Sequence, residues 1–474
     1  MLPPNASAEL ASRREAALRF LYDRINYERA ISVPYRAREF KLERMVELLD
    51  RLGNPQQGLR VVHIAGTKGK GSTSAMIGSI LKAGGLRSGV FTSPHLERIE
   101  ERLAIDGQPC SEEDFVRLVD RLLPIVQLMD AEAAKCTPTE DGPTYFDITT
   151  AMALCYFAER HVDAAVLEVG LGGRLDSTNV CQPQVAVITS ISFDHMKQLG
   201  NTLESIAWEK AGIIKPGVPV VSGVTTSGAQ EVIRHVCQQR ACRLIELGSD
   251  FGYRYRAPRG LERAPVLGSL DFFYTRPSSG RSYQGLPLRL IGEHQAANAA
   301  VALATLDVLC QSGWEVAEAA VRSGLAEVRW PARIELVARH PAVVVDAAHN
   351  LASVDALVRA LEESFFADRK HLIFATTQEK DLRGMLARLD RIFDRVIFTR
   401  YLNNPRSVPP EELLGLWREL TDSEAEICAT PAEAWAAVRR SAAPGDLIAV
   451  TGSFFIAAEM RNEIARHPFE QIAG

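Results

Sequence analysis

An eight-residue stretch with closely spaced glycines and two lysines follows the apolar run Arg60–Ala65: Gly66-Thr67-Lys68-Gly69-Lys70-Gly71-Ser72-Thr73. Glycines packed this closely let the backbone aim several N–H groups at one anion. The helical period beginning at Ser72 would add the positive end of a helix dipole. Lys70 is long enough to reach terminal phosphates as a point charge. The pattern departs twice from GxxxxGK[ST]. Gly66 and Gly69 are three residues apart, and Gly71 separates Lys70 from Ser72. The order strand, glycine loop, helix is what points to nucleotide phosphate rather than to a plain glycine-rich turn. Lys68 reads as a solvated or substrate-facing charge.

Three further residues could join that chemistry. Glu168 interrupts the apolar run Ala164–Val169, and a carboxylate buried at a strand end needs a partner. Mg²⁺ would serve, because it takes oxygen ligands alongside nucleotide phosphates. A buried salt bridge to an arginine such as Arg174 is the alternative. His195 closes Ser192-Phe193-Asp194-His195 after the run Val185–Ile191, on what reads as the strand adjacent to that of Glu168. A lone histidine is more often structural, but this placement favours a ligand. Lys210, on the helical stretch Thr202–Ala211, is not singled out by the residue pattern.

The elements that must position these groups alternate. Strands are expected at Arg60–Ala65, Gly89–Thr92, Ala164–Val169, Val185–Ile191 and Val218–Ser222, and helices at Ser72–Ala83, Ser111–Met129, Asp147–Glu159 and Thr202–Ala211. Such alternation gives an α/β fold with a mainly parallel, doubly wound sheet, whose ligands sit at the carboxyl ends of the strands. Between Phe251 and Leu290 aromatic residues sit among Gly, Pro and Arg, which reads as a small β-subdomain. Glu293–Cys310 is an Ala-rich helix. A second α/β unit follows, with strands at Val343–Asp346, His371–Thr376, Arg395–Thr399 and Leu447–Thr451. The boundary is placed between residues 328 and 329, giving domains 1–328 and 329–474.

Composition sets the outer limits. The 474 residues carry 54 Lys+Arg against 59 Asp+Glu, a formal charge of −5, which offers no basic field for nucleic acid. No apolar stretch approaches the roughly 20 residues of a membrane helix. Arg13, Arg14, Glu9 and Glu15 break up the first 30 residues, so they do not read as a signal peptide. The eight cysteines form no CxxC pair and read as free thiols, small core hydrophobes of a protein in a reducing cytoplasm.

The chain resembles the folylpolyglutamate synthase and dihydrofolate synthase family of the Mur ligase superfamily. The resemblance runs through His63–Thr73 (HIAGTKGKGST), Phe91–Leu96 (FTSPHL), Val166–Asn179 (VLEVGLGGRLDSTN), Ser192–His195, Leu203–Gly217, Glu293–Ala302, Trp330–Glu335 (WPARIE) and Val344–Asn350 (VVDAAHN), in order, over most of the chain. It implies an N-terminal P-loop domain of Mur-ligase type and a smaller C-terminal Rossmann-like α/β domain, with ATP and substrate meeting in the cleft between them. It implies that Gly69, Lys70, Gly71 and Ser72 hold the ATP phosphates and that Asn298, Arg333 and Asp346 contact ATP. Ser93, Glu168 and His195 match Mg²⁺ ligands, and His195 joins Lys70 and Lys210 among the catalytic positions. Lys210 matches a lysine that family members carry as a carbamate. Thr144, Tyr145, Phe146 and Asp147, with Arg174, Leu175 and Asp176, match segments that hold the pterin substrate. Asp147 stands where Glu is common, and Ala332 and Ala347 stand where Gly is common. The resemblance also places His349 in that cleft, without a chemical role.

The reaction so implied is ATP-dependent amide formation: a folate or dihydropteroate carboxylate is phosphorylated, and L-glutamate attacks the acyl phosphate. The resemblance favours one enzyme serving as both dihydrofolate synthase and folylpolyglutamate synthase, monomeric and cytoplasmic, with neither nucleic acid nor membrane as partner. Two alternatives remain at this point. A Mur-type ligase for a UDP-linked peptidoglycan precursor would share the loop, the Glu and the His, but no separate UDP-binding domain is evident before Arg60. A P-loop regulator without ligase chemistry would leave Asn298, Arg333 and Asp346 unexplained.

Overall fold

The computed structural model describes residues 4–26, 42–136, 142–194, 196–276, 280–378 and 380–469. Its first sheet has eight strands: β1 (Val61–Ala65), β2 (Ser88–Phe91), β3 (Leu103–Ile105), β4 (Gln108–Pro109), β5 (Ala164–Glu168), β6 (Pro183–Ile188), β7 (Val220–Ser222) and β8 (Leu244–Glu246). They lie in the order β4-β3-β2-β5-β1-β6-β7-β8. The pairs from β2 through β5, β1, β6 and β7 to β8 are parallel, and β2–β3 and β3–β4 are antiparallel. β1 and β5 are buried at every position, as expected of parallel strands covered on both faces.

One expectation about this sheet is corrected. The strand leading to Ser192–His195 is β6, and it does not neighbour the Glu168 strand β5, because β1 lies between them. His195 itself lies outside the described residues.

The segment with aromatic texture forms three strands, β9 (Phe251–Arg256), β10 (Gly268–Tyr274) and β11 (Tyr283–Leu288), in one small sheet. Phe251, Phe272 and Tyr274 pack their rings together on it, with Phe272 and Tyr274 edge to face at 5.4 Å.

The last sheet contains β12 (Glu335–Arg339), β13 (Ala342–Val345), β14 (Lys370–Phe374), β15 (Arg395–Phe398), β16 (Ala425–Ile427) and β17 (Leu447–Thr451), in the order β12-β13-β17-β14-β15-β16. All its pairs are parallel except β12–β13. The chain divides into two compact units. One comprises Met1–Tyr253, Phe272–Gln284 and Ala297–Val328, and the other Arg254–Asp271, Gly285–Ala296 and Arg329–Gly474.

Two cores of the first unit are seen among the described residues. One packs the helices Leu42–Arg51, Glu112–Cys136 and Tyr145–Glu159 around Phe91, Phe115, Ile148 and Phe157. The other gathers Ile188, Ile206, Ile213, Ile214 and Ile233 under β6 and β7. Cys110, Cys155, Cys181 and Cys237 are buried free thiols in these cores. Among the described residues no helix is long and apolar enough to cross a membrane.

Candidate functional site

The glycine loop begins where β1 ends. Gly66 (φ +152°) and Gly69 (φ +84°) occupy conformations that L side chains avoid. A Cβ on Gly66 would stand 2.0 Å from Thr189 Oγ1, and one on Gly69 would stand 2.1 Å from Asn298 Oδ1. The loop is therefore clamped against the end of β6 and against the helix Glu293–Gln311 that carries Asn298. Residues past β6 lace it in place. Thr67 N donates to Ser190 O (2.7 Å), Lys68 N to Ser190 Oγ (3.1 Å), and Thr189 Oγ1 to Lys68 O (2.7 Å). The run Thr189–Ser192 was legible in the sequence only as a strand end; its clamping role needs the sheet.

Gly69 is the N-cap of the helix Lys70–Ala83, so the helix starts at Lys70 itself. Lys70 Nζ donates to Gly66 O at 3.2 Å and lies 3.8 Å from Glu168 Oε1. Ser72 is buried in the first turn. Just after it, the buried hydroxyls of Thr73 and Ser74 have no hydrogen-bond partner among the described residues. Thr73 closes the glycine stretch legible in the sequence, whereas Ser74 carries no local signal.

Glu168 ends β5 with its side chain almost fully buried. Its Oε2 accepts from Ser93 N at 3.3 Å. Among the described residues, Lys70 is a cation near it. The expected alternative partner, Arg174, instead grips Glu209 through Nε and Nη2, down to 2.9 Å.

Lys210 lies in the helix Leu203–Ala211, buried, with Nζ donating to Gly66 O at 2.9 Å. Two amines thus share one carbonyl of the glycine loop. Burial and the nearby Lys70 charge lower the Lys210 pKa to about 7. Its helix is held there by close backbone contact. A Cβ on Gly173 would stand 2.9 Å from Glu209 O and Lys210 O, and one on Gly212 would stand 2.4 Å from Arg174 Cα.

The expected acceptor segments meet beside this centre. Thr144 and Asp147 form a capping box at the start of the helix Tyr145–Glu159. Asp147 Oδ2 accepts from Thr144 N, Thr144 Oγ1 and Arg44 Nε (2.9, 2.8 and 2.9 Å). Its Oδ1 accepts from Ser177 Oγ (2.7 Å). Arg44 carries no local signal in the sequence. Tyr145 is buried and stacks on Tyr22. Phe146 lies against Gly170, where a Cβ would come within 2.5 Å of the ring.

Asp176 caps the short helix Ser177–Val180, and its oxygens accept from Gly170 N, Leu171 N, Thr178 N and Thr178 Oγ1. Burial pushes its carboxyl above the usual range, and these four bonds oppose that shift. Leu175 is half-buried and Arg174 is exposed.

In the second unit Asp346 follows β13. It is buried and accepts from Ile334 N (2.9 Å) and Ala348 N (2.7 Å). Burial raises its pKa, with Arg333 acting in the opposite direction. The Arg333 guanidinium lies 4.5 Å from the centroid of the Phe454 ring, and the His349 ring stands 6.1 Å from the same ring. Ala332 and Ile334 have φ of +53° and +48°. A left-handed L residue costs on the order of 1 kcal/mol, which explains why glycine suits position 332. Ala332→Gly should therefore lose no stability, because relief of this strain offsets the added freedom of the unfolded chain. A urea midpoint equal to or above that of the parent is the expected result; a loss of more than about 1 kcal/mol would contradict it.

The donor set also bears on a metal. Among the described residues no group of three or more His, Cys, Asp or Glu converges. Glu168, with the Ser93 hydroxyl two residues beyond the end of β2, offers hard oxygen ligands and few of them. That suits Mg²⁺, which is held by one or two carboxylates plus substrate phosphates, and does not suit a closed zinc site.

Comparison with known proteins agrees with this geometry. The Mur ligase middle domain matches residues 64–306, and the Mur ligase glutamate ligase domain matches residues 332–454. The dihydrofolate synthase/folylpolyglutamate synthase of Bacillus subtilis is 37% identical over 89% of this chain and 94% of its own length. The structure of Mycobacterium tuberculosis folylpolyglutamate synthase complexed with ADP superposes with a TM-score of 0.84 at 32% identity, covering 97% of this chain and 100% of that one. Escherichia coli FolC in complex with DHPP and ADP gives 0.79 at 30% identity, covering 96% of this chain and 99% of that one.

Proposed function

The chain belongs to the folylpolyglutamate synthase/dihydrofolate synthase family of Mur ligases, and we propose that it serves both activities. It is an ATP-dependent ligase that joins L-glutamate to a folate-type acid. In the proposed dual role it adds the first glutamate to dihydropteroate and extends the tail of reduced folates. The convergence of Lys70, Lys210 and Glu168 on one glycine loop carries the ligase reading, and relatives named for both activities support the dual role.

The chemical problem is that two anions must meet. An acceptor carboxylate attacks the γ-phosphate and gives an acyl phosphate. The glutamate amine then attacks that carbonyl, and phosphate leaves. Gly69, Lys70, Gly71 and Ser72 hold the phosphates in this proposal, and Asn298, Arg333 and Asp346 contact the nucleotide. Lys70 and the loop amides offset charge repulsion in the first step, which is mainly positioning and electrostatics. Ser93, Glu168 and His195 would hold Mg²⁺, which supplies Lewis-acid stabilisation of phosphoryl oxygens when bound. Thr144–Asp147 and Arg174–Asp176 hold the pterin end, with Asp147 and Asp176 also shaping the segments they cap. The proposed domains are residues 1–328, which carry the phosphate loop, and residues 329–474, which carry Arg333 and Asp346.

The test is a side-by-side assay of purified protein with dihydropteroate and tetrahydrofolate, each with ATP, Mg²⁺ and glutamate. ADP release with both acceptors, dependent on glutamate, is the expected result. Turnover with only one acceptor would remove the dual role. Turnover without either would remove the ligase reading.

A further inference from the structure

We propose that His63, on the strand that feeds the phosphate loop, is a positioning residue for the acceptor segment 170–176. By donating Nε2–H to Thr178, it fixes the hydroxyl proton with which Asp176 is held. The proposal rests on the reading of that segment as part of the acceptor site.

His63 is completely buried in β1, with Nε2 2.8 Å from Thr178 Oγ1. Thr178 Oγ1 is also 2.5 Å from Asp176 Oδ1. A threonine hydroxyl has one proton to give. Asp176 Oδ1 takes a further bond from Thr178 N at 3.0 Å, and Oδ2 takes Gly170 N and Leu171 N, both at 3.0 Å. Three backbone N–H groups thus point at the two oxygens, which favours the ionised form, and an ionised carboxylate can only accept. The Thr178 proton must point to Asp176, so Thr178 Oγ1 must accept from the imidazole.

That assigns the tautomer. The proton is on Nε2, and Nδ1 is a bare acceptor, in keeping with its lack of any hydrogen-bond partner among the described residues. Burial and the nearby Lys215 charge keep the ring neutral, with a pKa lowered to about 3.

The consequence is mechanical. A chain of three links, His63 to Thr178 to Asp176 to the amides of Gly170 and Leu171, ties β1 to the loop that packs on Phe146. The helix Ser177–Val180 is pinned a second time through Ser177 Oγ to Asp147. A histidine that merely filled space would need no defined donor. Here a shape-conserving change without a donor at the ε position releases the acceptor loop and leaves the phosphate loop in place.

The experiment compares His63→Gln, whose amide nitrogen reaches the ε position, with His63→Asn and His63→Leu. We expect KM for the acceptor to rise about tenfold in the Asn and Leu variants and to stay near the parent value in the Gln variant, while KM for ATP changes little in all three. Thr178→Val should match the Leu variant, and combining the two should add little. Amide exchange at Gly170 and Leu171 should quicken in the Asn and Leu variants alone. Nitrogen NMR of the unmodified protein should show the neutral Nε2–H form of His63. An Nδ1–H form, equal acceptor effects for Gln and Leu, or a parallel rise in KM for ATP would overturn the proposal. If the parent has no glutamate-dependent turnover, the functional reading fails, and exchange and NMR still decide this one.

Discussion

Lys70→Ala is expected to lower glutamate-dependent ADP release by about 10³-fold or more, and Glu168→Ala to do nearly as much, with both variants still folded. The two groups face each other at 3.8 Å at the mouth of the glycine loop. Each therefore acts on the same transferred charge, Lys70 directly and Glu168 through the cation it would share with the phosphates. Groups that act as a unit are strongly non-additive, so the double variant should be little worse than the worse single one. The fold should survive because the loop is held by backbone and hydroxyl contacts from Thr67, Thr189 and Ser190, none of which uses either charge. The check is ADP release by each purified variant alongside its thermal unfolding. Product formation close to that of the parent in either one would refute the site assignment, and a collapsed melting transition would show that the pair is structural.

Local chemistry made some of this site readable in sequence and distance hid the rest. The apolar run of β1 and the glycines after it speak through adjacent residues, so the loop and its helix were expected where they lie. Glu168 stood out because a charge inside an apolar strand is costly anywhere. The order of strands is another matter. β5 and β6 are consecutive among the parallel strands, yet β1 inserts between them, and no local pattern encodes that. Arg174 was a reasonable partner for Glu168 by proximity in sequence, but its side chain turns outward to Glu209. Arg44 meets Asp147 across 103 residues, a pairing only the folded chain reveals. The strands β3, β4, β8 and β16 are two or three residues long, too short for a period of two to register. The second α/β unit was readable because β13, β14, β15 and β17 each contain three or four consecutive apolar residues.

Lys210 carries the other large effect. Lys210→Ala should lose activity at least about 10²-fold, and Lys210→Glu should recover part of it. A helical lysine in a sequence is usually a solvated charge; here Gly173 and Gly212 let the backbone close over the helix, and the amine ends buried against the glycine loop. With its pKa near 7, much of it is neutral at physiological pH. A neutral amine can attack CO₂, forming an N–C bond and giving up a proton to solvent, whereas an ammonium cannot. The resulting carbamate would exchange a cation beside Lys70 for an anion able to orient it and a bound metal. Bicarbonate should therefore raise the activity of the parent and leave Lys210→Glu unaffected. The stability of the unmodified protein gives an independent sign. Because the folded pKa lies below the ordinary 10.5, the unfolded chain binds more protons between about pH 7 and 10.5, and stability should climb across that window as pH rises. Lys210→Met should flatten that climb in bicarbonate-free buffer. Equal activity losses in the Ala and Glu variants would argue that the position needs an amine rather than an anion, and an unchanged pH slope in the Met variant would show that the amine is not the group that titrates.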